Sequence, residues 1–461
     1  MENDLKSTEM LTLPTEKLLV RFAVPAICTM LLSSLYNMVD RIFIGHGAGY
    51  LGLSAVTLCA PVMQLMNAVT LLIGMGGSAL FSISIGKGNR EESGRILSTA
   101  FAAQLVLGVL ETAAGILFCG PLCRLAGATT LSEPYAVTYL RIIMFGAAAQ
   151  CLGSGMVNFV RAEGNPRYAM TVSVSGTVLN CLLDLLFILG FHWGVAGAAI
   201  ATVLSQVLVA VLVILYFTVS ETSEFHLLLH CEKLRLFYVT QMLRLGFSSF
   251  MTQVVTCIMV LICMNQLAYY GALEGVGDDV AISAVGISTT IGGLLAMFGA
   301  GMQQAAGALI GANYGARQMQ RVRSIFMDAL ISLFLLLLFF YILLMAFPGQ
   351  IAGLFGDIQN REFTIYALRG YNLALPVMAF GVMGSSYFQS TGQPVKANIL
   401  SLSRCVIFFI PLLLILPPFF GLRSVILCAP ISDFCGNLIS IAFVIPELRR
   451  LKNAPIISAV E

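Results

Sequence analysis

Two acidic residues, Asp40 and Asp184, lie inside long apolar stretches of this 461-residue sequence. A charged side chain at the centre of a bilayer costs about 2.5 to 3.5 kcal/mol on insertion scales, so the position of each acidic residue needs a structural or functional explanation. Asp40 follows Tyr36 and Asn37 at spacings of four and three, which places the three polar side chains on one helical face. A simpler explanation for Asp40 is an ion pair with the adjacent Arg41 at the edge of the apolar stretch.

A second polar series leads to Asp184 at spacings of four, three and four, and it consists of Ser173, Thr177, Asn180 and Asp184. This helical face is expected to point into the protein, because its polar atoms would find no partners in lipid. Two neighbouring apolar stretches add Thr202 and Asn158. A hydrogen-bond network inside a helix bundle would explain the pattern without any transport role.

The functional alternative is a proton or cation site formed by Asp40, Asn180, Asp184 and Thr202, with Asn158 as a further member. Two carboxyl groups in a poorly solvated pocket can hold a proton and release it when the pocket opens to a higher pH. The same four side chains could instead coordinate Na⁺, and the sequence leaves both ions open. The residues expected to bind an organic cation are Asp40, Tyr36, Asn37 and Gln253.

The composition indicates that these residues are positioned by membrane-spanning helices. Hydrophobic residues make up 58% of the chain and charged residues 10%, and the mean hydropathy is +0.90. These values exclude most soluble proteins, and a net charge of +2 gives no field that would attract nucleic acid. We expect neither an enzyme nor a bound cofactor, because no catalytic or phosphate-binding motif occurs.

Apolar stretches of about 20 residues can cross a bilayer as helices. Twelve are predicted, at 16–44, 52–85, 95–119, 134–160, 166–190, 194–219, 238–271, 279–312, 319–347, 361–389, 395–418 and 424–446. Of the 25 Lys and Arg residues, 19 fall at one set of helix ends, which predicts that both termini are cytoplasmic. We therefore expect an all-α, multi-pass protein of the plasma (inner) cell membrane.

The chain also repeats itself. Gly86 matches Gly315 at an offset of 229, and Leu140-Arg141 matches Leu368-Arg369 at an offset of 228. The repeat predicts two pseudo-symmetric six-helix bundles, at 1–220 and 238–461, joined by a cytoplasmic linker at 221–237. Each bundle has an even number of spans, so the pseudo-twofold axis is expected to follow the membrane normal, with a cleft between the bundles.

The residues resemble those of multidrug and toxic compound extrusion (MATE) transporters, especially the MepA-like and DinF-like bacterial branch. The segments that carry the resemblance are Tyr36-Asn37-Met38-Val39-Asp40, Gly164-Asn165-Pro166 and Asn180-Cys181-Leu182-Leu183-Asp184. The resemblance implies a V-shaped pair of bundles that exports cationic amphipathic drugs in exchange for H⁺ or Na⁺. It also implies that Asp40 and Asp184 are the coupling carboxylates of the amino-terminal lobe.

These observations together predict a cation-coupled multidrug antiporter that works by alternating access, as a monomer in the lipid bilayer. The alternative is a flippase for a lipid-linked sugar or cell-wall precursor. Such a cargo favours several basic residues in the cavity, whereas the sequence places only Arg141 and Arg369 inside spans, near their outer ends.

Overall fold

Helices are the only regular elements in the part of the chain that the computed structural model describes, which is residues 5–125, 131–227, 235–275, 278–353 and 360–453. Ten helical segments of this part are long and apolar enough to cross a membrane. A pair of shorter helices, bent by 54° at its junction, would make an eleventh span. The prediction of an all-α, multi-pass membrane protein is confirmed.

The helices of the first half are α1 (Leu5–Thr12), α2 (Thr15–Gly86), α3 (Arg90–Leu125), α4 (Glu133–Phe145), α5 (Ala147–Ala162), α6 (Pro166–Asp184) and α7 (Gly194–Thr218). The bent pair consists of α4 and α5. A π-helical turn, Leu185–Gly190, continues α6 directly after Asp184. Asn165 caps the start of α6, because its side-chain oxygen accepts a hydrogen bond from the Tyr168 backbone N–H at 3.3 Å.

The helices of the second half are α8 (Leu236–Leu273), α9 (Asp278–Gly315), α10 (Met319–Ala346), α11 (Pro348–Gly353), α12 (Arg361–Tyr371), α13 (Met378–Ser390), α14 (Pro394–Leu402), α15 (Ile410–Ile415), α16 (Pro417–Phe420) and α17 (Leu422–Lys452). The predicted span at 361–389 is not one helix, because α12 and α13 are separated by residues 372–377. Pro376 lies in this break, and proline lacks the backbone N–H that would continue a helix.

Helix α2 covers the first two predicted spans, 16–44 and 52–85, in one run of helical backbone. Its segments long and apolar enough to cross a membrane are Thr15–Tyr36 and Ala55–Gly86. Ile27 touches α9 at Gly301, and Gly86 touches it at Ala312. The two points on α9 are about 16 Å apart by helical rise, whereas Ile27 and Gly86 would be about 90 Å apart on a straight helix. Helix α2 therefore folds back between its two spans.

We call the end of the molecule that holds the loops 87–89 and 316–318 the inner end. Two hydrophobic clusters lie toward the outer end, one within residues 44–199 and one within 263–429, and neither combines described residues of both halves. The inner clusters do combine the halves. Phe22 of the first half packs in a cluster with Phe326 of the second half. Met242 of the second half packs in the main cluster of the first half. The halves are thus joined mainly at the inner end.

Glycines allow the closest approach of the halves at this end. A Cβ on Gly86 would overlap the carbonyl oxygen of Ala312, and a Cβ on Gly315 would overlap the carbonyl oxygen of Ile83. Gly86 and Gly315 are the pair that the internal repeat matches at an offset of 229. Contact between equivalent residues is what a twofold axis passing between them produces, so the structure agrees with the predicted pseudo-symmetry.

Candidate functional site

The side chains of Asp40 and Asp184 lie together inside the first half. Asp40 is 8% exposed and Asp184 is 1% exposed, and their carboxyl groups are close enough to interact electrostatically. The Tyr36 hydroxyl faces both carboxyl groups. Both carboxyl oxygens of Asp184 are buried without a hydrogen-bond partner among the described residues other than Asp40. Such atoms suit a proton or a bound cation, because an unpartnered buried carboxylate is costly.

The polar neighbours of this pair come from α6 and α7. Asn180 lies one turn before Asp184 on α6, and its side-chain amide donates a hydrogen bond of 3.5 Å to the Thr202 hydroxyl on α7. The Tyr36 hydroxyl also lies near Thr202. The structure thus brings together Tyr36, Asp40, Asn180, Asp184 and Thr202, which we call the acidic cluster.

The other three predicted site residues are Asn158, Gln253 and Asn37. The first two lie apart from the acidic cluster, and the side chain of the third is outside the described part of the chain. The Asn158 side-chain oxygen accepts a hydrogen bond of 2.9 Å from Arg161, one turn along α5. Gln253 lies on α8 in the second half, where it lines the cavity described next. The predicted role of Asn37 and the alternative ion pair between Asp40 and Arg41 depend on the side chains of Asn37 and Arg41, which lie outside the described part of the chain.

A cavity of about 800 Å³ lies between the two halves. Tyr36, Asn180 and Thr202 connect it to the acidic cluster, and Gln253 and Gln303 line it from the second half. Its described lining is rich in hydroxyl and amide groups as well as apolar side chains. Apolar walls with a few converging polar groups are typical of sites for small molecules.

The cavity lining includes two basic residues that sequence reasoning missed. Arg161 and Arg404 were predicted at the cytoplasmic helix ends, but the structure places both on the cavity wall. The prediction used only the distance of each arginine from a helix end, and it did not consider which face carries the side chain. Arg161 does lie in the last turn of α5, but its side chain faces the cavity. The helical period offered a signal, since Arg161 lies one turn from Asn158 and on the same face.

The remaining acids of the apolar stretches have ordinary partners. Glu111 accepts a hydrogen bond from the Cys151 thiol at 3.3 Å, and Asp328 accepts one from the Thr15 hydroxyl at 2.9 Å. Asp433 forms an ion pair with Arg404 at 3.3 Å. No group of three or more metal-ligating side chains occurs within the residues that the structure describes.

Comparison with known proteins agrees with the fold. The family model described as MatE matches residues 25–186 and 246–415, one segment in each half. The chain belongs to the MatE family. Within it, the multidrug export protein MepA of Staphylococcus aureus (strain MSSA476) is 24% identical over 414 residues, which is 90% of each chain. MepA of Staphylococcus haemolyticus is 24% identical over 447 residues, which is 96% of each chain.

Solved MATE structures extend the similarity to three dimensions. One, described as the outward-facing conformation of a multidrug resistance MATE family transporter, is 26% identical with a TM-score of 0.89, and the match covers 97% of this MatE chain and 99% of the other. A MATE structure in a bent conformation gives a TM-score of 0.90 at 26% identity, and the match covers 97% and 98% of the two chains. The predicted MATE fold is therefore confirmed.

Proposed function

We propose that this protein is a cation-coupled multidrug antiporter that exports cationic amphipathic compounds by alternating access. The observation that carries the proposal is the burial of two neighbouring carboxyl groups, Asp40 and Asp184, beside a cavity between the halves. Two relatives are named multidrug export proteins, which supports drugs as the exported class.

Competition between the ion and the drug for the acidic cluster couples the inward movement of the ion to the export of the drug. A proton or Na⁺ held between Asp40 and Asp184 removes the negative charge that attracts an organic cation, and release of the ion restores it. Ion and drug therefore bind in turn and cross in opposite directions. Tyr36 and Asn180 line the cavity at the cluster, so a drug can approach the carboxyl groups from there. Asn37 and Gln253 complete the proposed drug site, and Asn158 lines the same cavity beside Arg161, apart from the acidic cluster.

The ion gradients of a cell are sufficient for this exchange. One positive charge moving inward through 100 mV releases about 2.3 kcal/mol, and each pH unit adds about 1.4 kcal/mol. A tenfold gradient of a neutral drug requires about 1.4 kcal/mol. A singly charged drug needs about 2.3 kcal/mol more to leave against the same 100 mV, so a one-for-one exchange is electroneutral and the ion's concentration gradient drives it. One pH unit then sustains about a tenfold gradient of the cationic drug. No bound cofactor is needed.

The test is ethidium transport by the purified protein in liposomes, with pH and Na⁺ gradients imposed separately. We expect gradient-driven transport by the wild type, and rates at least tenfold lower in Asp40→Asn and Asp184→Asn. Glu111→Gln is the matched control, because Glu111 is also an acid in an apolar helix but does not line the cavity. Full transport in both aspartate variants would show that the acidic cluster does not couple the ion.

The flippase alternative has one observation in its favour, which is the pair of arginines on the cavity wall. Asp433 neutralises Arg404, so a single guanidinium remains without an acidic partner among the described residues. A pyrophosphate-linked cargo favours several free basic groups, and we therefore prefer the antiporter. Translocation of a lipid-linked precursor that excess ethidium does not inhibit would reverse this preference.

We further propose that the protein acts as a monomer in the cell membrane with both termini in the cytoplasm. The support is the excess of Lys and Arg at the helix ends of one side, where 19 of 25 occur. In right-side-out vesicles the loop at 87–89 should be protected from external protease, and light scattering in detergent should give the mass of one chain.

A further inference from the structure

The proposed antiporter has a cation site, yet the other end of its cavity carries a positive charge. Arg161 is 5% exposed and lies in the last turn of α5, where it lines the cavity. Its one described hydrogen bond runs to Asn158, a neutral amide, and it forms no ion pair with any described residue. A guanidinium has five N–H donors and stays charged in proteins. Arg161 therefore has donors left for a ligand.

Arg404 provides an internal comparison on the same cavity wall. Its guanidinium lies 3.3 Å from the Asp433 carboxylate, which balances its charge. Arg161 has a similar position with respect to the cavity but lacks an acidic neighbour. A cation that is 95% buried without a counter-ion is costly, unless an anion enters the space in front of it.

That space is a small polar pocket at the inner end of the cavity, with a volume of about 30 Å³. Arg161 lines it from the first half, and Gln303 lines it from the second. The hydroxyls of Ser78 and Ser82 donate to carbonyl oxygens of their own helix, so they cannot act as donors to a ligand at the same time. The Gln303 side-chain amide makes no hydrogen bond to any described group. The Ser390 hydroxyl also lines the pocket and donates to no described group, so the free donors of the pocket include those of Arg161, Gln303 and Ser390.

We propose that this pocket is an anion subsite, in which Arg161 and Gln303 bind the carboxylate of amphoteric substrates. The inference rests on the proposed drug export and deepens it, because it names the residues that recognise the acidic group of a substrate that carries both an acidic and a cationic group. Charge-assisted hydrogen bonds from a guanidinium suit a carboxylate in both charge and shape.

The two charged regions of the cavity are far enough apart to act independently. Asn180 lies 14 residues after the start of α6 at Pro166, and this start is next to Arg161 across the loop 163–165. The rise along α6 therefore separates the acidic cluster from Arg161 by about 20 Å. The proposed anion subsite is therefore distinct from the acidic cluster, at which the ion and an organic cation compete.

The test compares two dyes that differ by one ester. Rhodamine 110 carries a free carboxylate beside its cationic ring system, and rhodamine 123 is its methyl ester. Binding of each to the detergent-solubilised full-length protein is measured by fluorescence anisotropy. We expect Arg161→Gln to weaken the binding of rhodamine 110 about tenfold and to change that of rhodamine 123 by less than twofold. Gln303→Ala should weaken the binding of rhodamine 110 by a smaller factor.

Two further variants separate recognition from folding. Arg161→Lys keeps the positive charge and should recover part of the preference for rhodamine 110. Arg167→Gln removes an exposed arginine just beyond the loop 163–165 and should change the binding of neither dye. Equal losses for both dyes in Arg161→Gln, or no loss for either, would overturn the subsite. Failure of the wild type to bind either dye would also count against it.

The subsite and the proposed coupling can fail separately. Retained transport by Asp184→Asn would remove the coupling but leave a carboxylate-selective effect of Arg161→Gln intact. A lipid phosphate is the other source of the same anionic chemistry. If phosphatidylglycerol displaces rhodamine 110 and raises the Tm of the wild type but not of Arg161→Gln, the pocket binds a lipid rather than a substrate, and the proposal is wrong.

Discussion

At the scale of single residues, the buried acids of this protein differ in what surrounds them. Glu111, Asp328 and Asp433 each have a hydrogen bond or an ion pair with a named side chain. The oxygens of Asp184 accept no hydrogen bond from a described group other than the carboxyl group of Asp40, which lies beside them. Folding alone gives no reason for such an arrangement, because two neighbouring carboxylates repel each other. A reversible ligand does give one.

The same substitution should therefore have opposite effects on stability at two positions. Asp184→Asn keeps the side-chain volume and removes the repulsion from Asp40, so we expect a free energy of unfolding that is unchanged or about 1 kcal/mol higher. Asp433→Asn leaves Arg404 without its counter-ion and should lower that free energy by about 2 kcal/mol, since the pair is partly exposed. Thermal unfolding in detergent measures both. A loss in Asp184→Asn as large as in Asp433→Asn would indicate a structural role.

At the scale of elements, a single carboxyl group attaches the linker between the halves to the first half. Glu163 follows α5 and is fully buried, and one of its oxygens accepts hydrogen bonds from the Ser223 hydroxyl and from the backbone N–H groups of Glu224 and Phe225. The Phe225 ring packs edge-on against Phe81, with ring centres 5.2 Å apart. The start of the linker is therefore held by a titratable group outside the membrane-spanning helices.

This attachment should weaken as the pH rises. Burial raises the pKa of Glu163 from 4.5 to about 7, although the hydrogen bonds from Ser223 and the linker backbone favour the charged form. The attached state binds the proton more tightly than a detached, solvated Glu163 does. Its extra stability is thus complete below pH 4.5 and is lost as the pH rises to about 7. Between pH 6 and pH 8 the difference amounts to about 1.4 kcal/mol, or tenfold in the opening equilibrium.

Hydrogen exchange of the Glu224 and Phe225 amides measures that equilibrium. After correction for the intrinsic rate, exchange should be about tenfold faster at pH 8 than at pH 6. Glu163→Gln cannot titrate and should abolish the difference, whereas Glu221→Gln, on the exposed part of the linker, should preserve it. A pH effect that survives in Glu163→Gln would assign the titration to another group.

At the scale of the whole molecule, the sequence predicts local patterns better than it predicts contacts between halves. Length and hydropathy locate the spans, and helical spacing brings Asn180 and Asp184 to one face. The break at 372–377 had a local signal in Pro376, which length and hydropathy alone do not read. The contact of Gly86 with Ala312 and the packing of Phe22 among helices of the second half depend on contacts between distant segments, which no local pattern encodes. The position of the Arg161 side chain on the cavity wall was missed for the same reason, because its environment is formed by both halves.

The contact between the repeat-related glycines tests how the whole molecule moves. Alternating access requires the inner ends of the halves to separate, and Gly86 and Gly315 can approach so closely only because neither has a Cβ. Gly86→Ala and Gly315→Ala should each destabilise the joined arrangement by about 1 to 3 kcal/mol through overpacking. Hydrogen exchange near 83–87 and 312–316 should become at least fivefold faster. Gly293→Ala is the matched control on α9, since a Cβ placed on Gly293 would have no atom within 4 Å. Alanine should stabilise that helical position by up to about 1 kcal/mol and leave exchange at the inner end unchanged. Equal protection in all three variants would mean that the glycines do not control separation of the halves.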